Sequence, residues 1–308
     1  MRVIITGGTG LIGSALAVEL ASAGHEVVIL SRDTRKATAV PAGARVVSWD
    51  ARTAKGWGDV ADGAGAIVNL AGENIAAGRW SAERKRRIRE SRLNAGHAVL
   101  EAVEAASTNP RAVIQASGIG IYGATGDVHV REGSPPGRGF LADLAVEWEA
   151  STVGVRRLGV RWAAIRTGVV LSTRGGALPR MMLPLPLMSP KRFGKGRQWF
   201  PWIHISDEVA AIRLLVEHEG AHGAFNLVSP HPVRNAEFLK QLNTLLRRPL
   251  AVPVPAALLR LALGEMATEV LDGQRASPLR LKMTGYRFRF PEVTAALYDL
   301  LRGPTRTD

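Results

Sequence analysis

Three evenly spaced glycines near the start of the chain are the first residues whose spacing could support chemistry. Gly7, Gly10 and Gly13 stand between the β-branched run Arg2 to Thr6 and the helix-forming stretch Ser14 to Ala23. A strand, a glycine turn and a helix in this order offer free N–H groups and a partial positive charge to a phosphate. The first glycine would permit a tight turn, the second would let backbone approach a pyrophosphate, and the third would let the helix pack on the strand.

A second short strand distinguishes this turn from an ordinary glycine-rich loop. Val27 to Leu30 follows the helix within the unit of about 30 residues that a dinucleotide-binding fingerprint requires. The sequence therefore predicts a dinucleotide at the turn. We expect it to contact Thr9, Leu11 and Ile12 as well, because they lie between the glycines.

The residues after the second strand indicate which dinucleotide is bound. Ser31 and Arg32 stand where an acidic residue would accept hydrogen bonds from a free ribose 2′-hydroxyl, and Arg35 and Lys36 follow one turn later. Cations at this point favour a ribose 2′-phosphate, so we predict NADP(H). Asp33 keeps NAD(H) open as the less favoured cofactor, and a solvated charged surface is the alternative without a ligand.

Strands and helices alternate along the chain and must position these residues. Strands are predicted in "ARVVSWD", at Ala66 to Gly72, at Ala112 to Gly118 and at Trp162 to Ser172, and helices at about Ser81 to Ser107 and Phe140 to Thr152. The alternation predicts an α/β protein with a doubly wound parallel sheet, a Rossmann fold, whose ligands gather at the C-terminal strand ends. Asp50 ends the third strand, where it could meet the adenine amino group.

The pattern changes after about Thr173, which indicates a second region. We predict a wrapping loop up to Trp202, then a strand and a helix in "WIHISDEVAAIRLLVEH", capped by Ser206 or Asp207, and a last strand in "AFNLVSP". Two amphipathic helices and a tail follow Val233. The predicted domains are a dinucleotide-binding domain of residues 1–171 with 203–228, and a smaller, mostly C-terminal α/β substrate-binding domain of residues 172–202 with 229–308.

The composition excludes several classes of function. The chain has 308 residues, 46% of them hydrophobic, which suffices for one large core or two unequal ones. Cysteine is absent, so disulfides, thiol catalysis and cysteine-ligated zinc are excluded, and no metal site is predicted. No apolar run approaches the ~20 residues of a membrane helix and no export signal is visible, so we expect a cytoplasmic protein.

The formal net charge of +13 raises nucleic acid as a partner, but the distribution of the charge argues against it. The densest basic run, "ERKRRIRESR" from Glu83 to Arg92, mixes glutamates with its cations at helical spacing. It also lacks the interleaved aromatic residues of a base-stacking surface. A solvated helix face is favoured, a surface for an anionic substrate or partner comes second, and nucleic acid comes last.

Several motifs together resemble the extended short-chain dehydrogenase/reductase superfamily, the group of nucleotide-sugar epimerases and dehydratases. They are "TGGTGLIG", "NLAG", Ser117 and the Tyr122-Gly123 pair after the fifth strand, "RTGVVLS" and "GKGRQWFPWIHISDEVAAI". The longer segments "NLAGENIAAGRWSAERKRRIRESR", "SPPGRGFLADLAVEWEA" and "DGQRASPLRLKMTGYRFRFP" are similar to its epimerase-like branch, once linked to cell-division inhibition. The resemblance covers essentially the whole chain. It implies cofactor contacts from Leu70, Ala71, Gly72, Arg166, Gly168 and Val169.

The catalytic pair of this superfamily has no counterpart in the sequence. Members use a tyrosine with a lysine four residues later on one helix face, where the ammonium lowers the pKa of the phenol. Tyr122 is followed four residues later by Gly126, and the "GATG" segment cannot be helical. On the helix where the pair should fall, the nearest positions are Phe140 or Leu141 and then Leu144 or Ala145.

Any proton chemistry must therefore come from other residues. Ser117 matches the serine that orients substrate in the superfamily, and Tyr122 could lie over the nicotinamide. Asp143, Glu147 and His204 are further candidate proton donors or acceptors, although each is also typical of a solvated helix edge or a hydrogen-bonded interior position. Four side chains are candidates for contact with substrate: Asn74, Trp80, Gln198 and Trp202.

Three functions stay open on the sequence, the least favoured being a basic adaptor for nucleic acid or an anionic surface. The favoured one is an NADP-dependent reductase or epimerase of a small or nucleotide-sugar-like carbonyl compound, with an anionic substrate as one option. The alternative, motivated by the missing catalytic pair, is an inactive NADPH-binding redox sensor that acts through a protein partner. A homodimer through the helices near residues 81–107 and 140–152 also stays open, because superfamily members commonly dimerise there.

Overall fold

Strands and helices alternate along the described part of the chain, residues 1–36, 40–182 and 188–303 of a computed structural model, with the backbone alone described at residues 36 and 188. The strands are β1 (Arg2–Thr6), β2 (Glu26–Ser31), β3 (Arg45–Ser48), β4 (Ala66–Asn69), β5 (Ala112–Gly118), β6 (His129–Val130), β7 (Arg161–Thr167), β8 (Val169–Leu171), β9 (Met188–Phe193), β10 (Trp199–Phe200), β11 (Trp202–His204), β12 (Gly223–Leu227), β13 (Val233–Arg234), β14 (Leu250–Val254) and β15 (Arg275–Ala276). The α-helices are α1 (Leu11–Ser22), α2 (Gly58–Ala61), α3 (Ala82–Ala105), α4 (Phe140–Val153), α5 (Ala177–Met182), α6 (Ile205–Glu217), α7 (Asn235–Leu245), α8 (Ala256–Leu263), α9 (Ala267–Leu271), α10 (Leu279–Met283) and α11 (Val293–Arg302).

Seven parallel strands form the central sheet, in the order β12-β7-β5-β4-β1-β2-β3. The apolar run Val3 to Ile5 is buried throughout, as expected for a parallel strand covered on both faces. The chain reverses its direction across the sheet between β1 and β4, so their C-terminal ends flank the crevice where ligands bind in this fold. The predicted fold class is confirmed.

Two apolar layers cover the two faces of this sheet. On one face, alternate strand residues such as Ile5 and Ile29 pack against Leu16 of α1 and Ile212 of α6. On the other face, residues such as Ile4 and Val28 pack against Val99 of α3 and Trp57 beside α2. Helices on both faces make the sheet doubly wound, and they hold the C-terminal strand ends in fixed register.

A smaller core lies outside the seven-stranded sheet. It joins Leu178 of α5, Phe200, Trp202, Phe238 of α7 and Leu297 of α11. The residues of this core come from the predicted substrate-binding region and from its borders. The division into two domains at the stated residues stays a prediction.

The prediction of one continuous strand from Trp162 to Ser172 is wrong, because this segment forms two strands. β7 ends at Thr167 and belongs to the central sheet, whereas β8 pairs with β11 in a separate two-stranded sheet. The break falls at Gly168, where a Cβ would lie 2.6 Å from the carbonyl oxygen of Pro201. A residue with a side chain at position 168 would therefore collide with the backbone of Pro201.

The predicted wrapping loop from Thr173 to Trp202 contains regular structure. α5, β9 and β10 lie within it, and residues 183–187 are outside the described part of the chain. Such short elements depend on distant partners, because β9 pairs with β14 and β10 pairs with β13. Local sequence patterns therefore could not reveal them.

Candidate dinucleotide site and substrate cleft

The glycine turn between β1 and α1 is shaped by close backbone contacts. Gly7 has φ +67°, in the left-handed region that favours glycine, and a Cβ there would lie 2.9 Å from the backbone of Leu70. A Cβ on Gly13 would lie 2.3 Å from Gly7 O and 2.7 Å from Gly8 Cα. Gly13 therefore lets the first turn of α1 pack against the glycine turn itself.

Gly10 differs from these two glycines because its surroundings are open. It is the N-cap of α1 without a side-chain capping bond, and a Cβ there would meet only Gly7 O, at 3.2 Å. The first N–H groups of a helix have no partner within the helix. Thr9 and Gly10 are exposed and Leu11 and Ile12 half-buried, so these N–H groups adjoin accessible space.

A buried polar network fixes the strand ends beside this turn. Thr6 Oγ1 donates to Asn69 Oδ1 at 2.6 Å and accepts from the backbone N–H groups of Leu70 and Ala71, each at 3.1 Å. Asn69 Nδ2 in turn donates to Gln115 Oε1 at 2.9 Å. The ends of β1 and β4 are thus joined to the middle of β5, and the exposed Gly72 follows Ala71.

The end of β2 carries a cation with no partner in the described part of the chain. Arg32 is exposed and forms no hydrogen bond or ion pair there, and the buried Ser31 donates to Asp33 O at 2.9 Å. The Asp33 carboxylate accepts from both the backbone N–H and Nε of Arg35, each at 3.2 Å. The side chain of Lys36 lies outside the described residues. Asp33 is therefore already engaged, whereas Arg32 is available to an anion.

Three other predicted cofactor residues have structural partners. The Asp50 carboxylate, two residues beyond β3, accepts from the backbone N–H groups of Arg52 and Thr53 at 2.7 and 2.8 Å, which lowers its pKa. Gly168 N donates to Leu227 O and Val169 N to Pro201 O, at 3.0 and 2.6 Å. Their cofactor assignment stays a prediction that these contacts do not support directly.

Arg166 lies in a second polar cluster at the ends of β5, β7 and β12. Its Nε and Nη2 donate to both oxygens of Glu149 at 2.8 and 3.0 Å, and its Nη1 donates to Tyr122 Oη at 2.9 Å and to Glu132 O at 3.0 Å. Ser117 Oγ donates to Glu149 Oε1 at 2.7 Å. The guanidinium is thus committed to this cluster, and the lone pairs of Ser117 are left as acceptors.

Tyr122 belongs to the same cluster. It ends a 3₁₀ turn, outside any α-helix, and its hydroxyl donates to Asn226 Oδ1 at 2.8 Å while accepting from Arg166. The residue is only 3% exposed, and burial raises its pKa although the neighbouring guanidinium opposes the shift. A phenol with both hydrogen-bonding functions occupied is poorly placed to donate a proton to substrate.

The remaining proton-transfer candidates lie apart from Ser117. Asp143 is exposed on α4, and Glu147 forms an ion pair with Arg89 of α3. The buried His204, not the predicted Ser206 or Asp207, caps α6: its Nδ1 accepts from Ser206 N at 3.1 Å. Its Nε2 lies 3.4 Å from Asp299. Burial lowers the pKa of His204. The structure does not bring these three side chains together.

A cleft opens between the start of α4 and the segment around α9. It has a volume of about 210 Å³ and is lined by Trp80, Gly120, Phe140 and Leu141 on one side. The rings of Trp80 and Phe140 meet edge to face with centroids 5.1 Å apart, and Trp80 Nε1 donates to Ile75 O. The floor of the cleft is therefore apolar at the positions where the superfamily's tyrosine should fall.

The opposite side of this cleft is acidic. Glu265, Glu269 and Asp272 line it, and Arg138 stands at the start of α4. Glu269 is accessible from the cleft, yet surrounding protein atoms desolvate its carboxyl and, with the nearby Asp272, raise its pKa to about 7. Such a carboxyl can hold a proton at neutral pH.

The other predicted substrate residues are not in this cleft. Asn74 Oδ1 accepts from Ala76 N at 2.8 Å, and Gln198 Nε2 donates to Phe193 O and Val270 O at 3.0 and 2.9 Å. Trp202 is 1% exposed within the smaller core. Of the four candidates, Trp80 alone lines the cleft.

Two polar residues of the clusters described above, Glu149 and Glu269, are not among those predicted from the sequence. A signal for Glu149 was present, because it shares the buried face of α4 with Ala142, Ala145 and Thr152 at helical spacing. Glu269 gave no such signal, since the short helix α9 reaches the cleft only through tertiary packing.

Two further features bear on the classes of function. Within the described ranges, no group of three or more His, Cys, Asp or Glu side chains is arranged to hold a metal ion. None of the helices in those ranges combines the length and apolar character needed to cross a membrane.

Two protein-family models match separate parts of the chain. The model of the NAD dependent epimerase/dehydratase family matches residues 3–227. A second model, described as a domain of unknown function (DUF1731), matches residues 254–300, which include α9.

Individual proteins match over nearly the full length. The epimerase family protein SDR39U1 of Mus musculus is 36% identical over 308 residues, covering 98% of this chain and 100% of that protein. The crystal structure of human epimerase family protein SDR39U1 (isoform 2) with NADPH has a TM-score of 0.88 at 34% identity, covering 99% and 100% of the two chains. The Thermus thermophilus UDP-glucose 4-epimerase complex with NAD, at 22% identity and a TM-score of 0.77 over 98% and 99%, shares the fold.

Proposed function

Because this chain belongs to the NAD-dependent epimerase/dehydratase family, we propose that it binds NADP(H) and acts as an oxidoreductase or epimerase on a small carbonyl compound. The observation that carries the proposal is the turn from Gly7 to Gly13 at the start of α1. A side chain at Gly10 would occupy the open space in front of the free N–H groups, so the residues present fit a bound pyrophosphate.

The end of β2 supports NADP(H) over NAD(H). Arg32 is exposed and unpaired within the described residues, and Asp33 is held by Arg35. A ribose 2′-phosphate would find a charge-assisted donor in Arg32. The human relative crystallised with NADPH is consistent with this choice.

The chemistry of the proposed enzyme divides between cofactor and protein. A bound nicotinamide supplies hydride transfer to or from a substrate carbon. Ser117 Oγ, whose proton is donated to Glu149, is suited to accept a hydrogen bond from a substrate hydroxyl. The Glu149–Arg166 pair would keep that serine in one orientation, because Arg166 binds both oxygens of the carboxylate.

The cleft favours a small substrate without a phosphate group. Its volume of about 210 Å³ is below the ~300–1,000 Å³ of typical drug-sized ligand sites. Glu265 pairs with Lys85, Glu269 can hold a proton, and the charges of Asp272 and Arg138 offset each other. The cleft therefore offers no excess positive charge to a diphosphate. We therefore propose a neutral carbonyl compound rather than the anionic or nucleotide-linked substrate considered from the sequence.

Cofactor binding is tested by titrating the fluorescence of NADPH and NADH with the wild-type protein and with Arg32→Ala. A charge-assisted phosphate contact contributes roughly 1.5–3 kcal/mol, so the variant should lose about tenfold to a hundredfold in NADPH affinity and little in NADH affinity. Arg45→Ala, at the opposite end of β3 from the ligand edge, is the matched control and should bind both cofactors as the wild type does. Equal losses for NADPH and NADH would contradict the assignment.

Catalysis is tested by following NADPH oxidation with a panel of aldehydes, ketones and nucleotide-linked keto sugars. Oxidation by at least one neutral carbonyl compound is expected. The missing tyrosine and lysine motivate the alternative of a redox sensor. A protein that binds NADPH tightly and reduces nothing in the panel would favour that sensor.

A further inference from the structure

We infer that the Glu269 carboxyl is the proton-transfer group of this site, an inference that rests on the function proposed above. It assigns a catalytic residue to the C-terminal segment, outside residues 3–227, which match the NAD dependent epimerase/dehydratase family model. The carboxyl would hold the proton that the substrate oxygen gains on reduction and loses on oxidation.

The C-terminal segment is anchored at the cleft by contacts to the loop after β5. Gln274 Nε2 donates to Gly123 O at 2.7 Å, and Thr125 Oγ1 donates to Gly273 O at 3.3 Å. β15 then pairs with β6 through Arg275 and Ala276. α9 is therefore held at a defined distance from the end of β5.

The Glu269 carboxyl faces the position where the superfamily's tyrosine is missing. A Cβ built on Gly120 would lie 3.2 Å from Leu141 Cβ and 4.0 Å from Glu269 Oε2. Gly120 is three residues beyond Ser117, and Leu141 is one of the two positions nearest to the expected tyrosine. The carboxyl and the apolar replacement thus both lie next to the same glycine in the cleft.

The other candidates near the cleft are already engaged. Tyr122 has both hydrogen-bonding functions occupied, Ser117 donates to Glu149, and Glu265 pairs with Lys85 at 2.7 Å. The Glu269 carboxyl forms no hydrogen bond to any described residue and is open to the cleft. It therefore has oxygen atoms free for a substrate.

The charges around Glu269 favour a group that both gives and accepts a proton at neutral pH. Asp272 on the same segment faces it with like charge, and Glu265 is balanced by Lys85 of α3. Arg138, before α4, is the cation on the opposite wall. Desolvation by the surrounding protein atoms and the nearby Asp272 raise the pKa of Glu269 to about 7, near the value at which general acid–base catalysis is most effective.

The proposed step balances for carbonyl reduction. On reduction, the Glu269 carboxyl would give one proton to the substrate oxygen as the carbonyl carbon gains the hydride that bound NADPH would supply. The products are an alcohol, an oxidised nicotinamide and the Glu269 carboxylate, which regains its proton from water. In the reverse direction the carboxylate accepts the hydroxyl proton.

The first test measures the pKa of Glu269 by ¹³C NMR of labelled glutamate carboxyls, with Glu269→Gln used to assign the signal. We expect a value near 7 in the free protein. NADP⁺ and NADPH carry the same phosphates, but only NADP⁺ has a positively charged ring. If the carboxyl lies beside the nicotinamide, its pKa should be lower with NADP⁺ than with NADPH by about one unit.

The outcomes of this titration separate the inference from the function it rests on. A protein that binds both cofactors and shows the same Glu269 pKa with each overturns the inference and leaves cofactor binding intact. A protein that binds neither cofactor overturns the proposed function, and the inference with it. Adenosine 2′,5′-bisphosphate, which has no nicotinamide, serves as the control for binding at the phosphate sites alone.

The second test uses a carbonyl compound that the wild type reduces. Glu269→Gln should lower kcat by about 100-fold and remove the ionisation near pH 7 from the rate profile, with NADPH affinity unchanged. Glu269→Asp should restore part of the rate, and Glu104→Gln, exposed on α3, should behave as wild type. An unaltered rate in Glu269→Gln, or a flattened pH profile in Tyr122→Phe instead, would overturn the inference.

Discussion

At the level of single residues, Glu147 and Glu149 of α4 are two positions apart but have different roles, one at the surface and one in a nearly buried ion pair. Glu149 accepts three hydrogen bonds, two from Arg166 and one from Ser117, and both members of its ion pair are nearly buried. Glu147 pairs with Arg89 at the surface. Two residues correspond to about 200° around a helix of 3.6 residues per turn, so the two side chains leave on opposite sides.

This difference predicts unequal costs of removal. Glu149→Ala would leave the Arg166 guanidinium without its partner in a desolvated position, so we expect a loss of about 3–5 kcal/mol in the free energy of unfolding. Glu147→Ala, the matched control, should lose about 0–1 kcal/mol. Urea denaturation measures both values. Similar losses in the two variants would contradict the structural role given to Glu149.

At the scale of elements, the glycine turn combines two requirements in one loop. Gly7 and Gly13 allow the backbone of the turn to close on itself, whereas Gly10 leaves space in front of the α1 N-terminus. The first requirement concerns folding and the second concerns the ligand. Spacing in the sequence does not separate them, but the contacts around each glycine do.

Substitutions at Gly13 and Gly10 should therefore impair different properties, stability at Gly13 and NADPH binding at Gly10. Gly13→Ala forces backbone atoms apart, because its Cβ would lie 2.3 Å from Gly7 O, and should cost about 1–3 kcal/mol of stability. Gly10→Val should keep the fold, since its φ of −78° and ψ of 176° suit a β-branched residue, but abolish NADPH binding. Circular dichroism and nicotinamide fluorescence distinguish the two effects. Tight NADPH binding by Gly10→Val would show that the cofactor lies elsewhere.

The first turn of α6 contains a buried carboxyl that links stability to pH. Glu208 is 0% exposed, accepts one hydrogen bond from Thr167 at 2.8 Å, and has its other oxygen without a partner among described residues. Burial raises its pKa from 4.5 to about 8. Between these values the folded protein keeps a proton that the unfolded chain has lost. The contribution of Glu208 to stability therefore falls as pH rises from 4.5 to 8.

Glu208→Gln should remove this dependence. The wild type should lose up to about 1.4 kcal/mol per pH unit from this group across the window, and the variant should show a flatter profile. Urea denaturation at pH 5, 6, 7 and 8 gives the two profiles. Parallel profiles would mean that Glu208 is ionised in the folded protein.

At the scale of the whole molecule, the C-terminal tail is tied back to the helices of the sheet. The buried Asp207 of α6 accepts from Tyr286 Oη at 2.9 Å, from Arg289 N at 2.7 Å and from Phe290 N at 2.9 Å. These bonds connect residues about 80 positions apart in sequence. The tail is thereby held against the same helix that covers one face of the sheet.

Loss of this connection should loosen the tail. Asp207→Ala leaves two part-buried backbone N–H groups and a phenol without their acceptor, so we expect a loss of about 1–3 kcal/mol in stability. Hydrogen exchange should be faster at residues 286–290. Asp59→Ala, exposed on α2, should change neither measurement. Unchanged exchange at the tail in Asp207→Ala would contradict this role.

The fold class and the turn at Gly7 to Gly13 could be predicted from the sequence alone. Both depend on local order: a strand, a glycine turn and a helix that recur along the chain with buried apolar runs between them. The sequence also predicted that Phe140 to Ala145 lack the superfamily's catalytic pair, because that absence is visible in the residue types alone.

Which polar side chains contact one another depends on the tertiary structure. Tyr122 and Arg166, predicted to serve substrate and cofactor, are committed to Asn226, Glu132 and Glu149 across three strand ends. Glu269 comes to face Gly120 from a segment about 150 residues away, anchored by Gln274 on Gly123. Hydrogen-bond partners depend on distances of a few ångströms between segments remote in sequence, and no local periodicity encodes those distances.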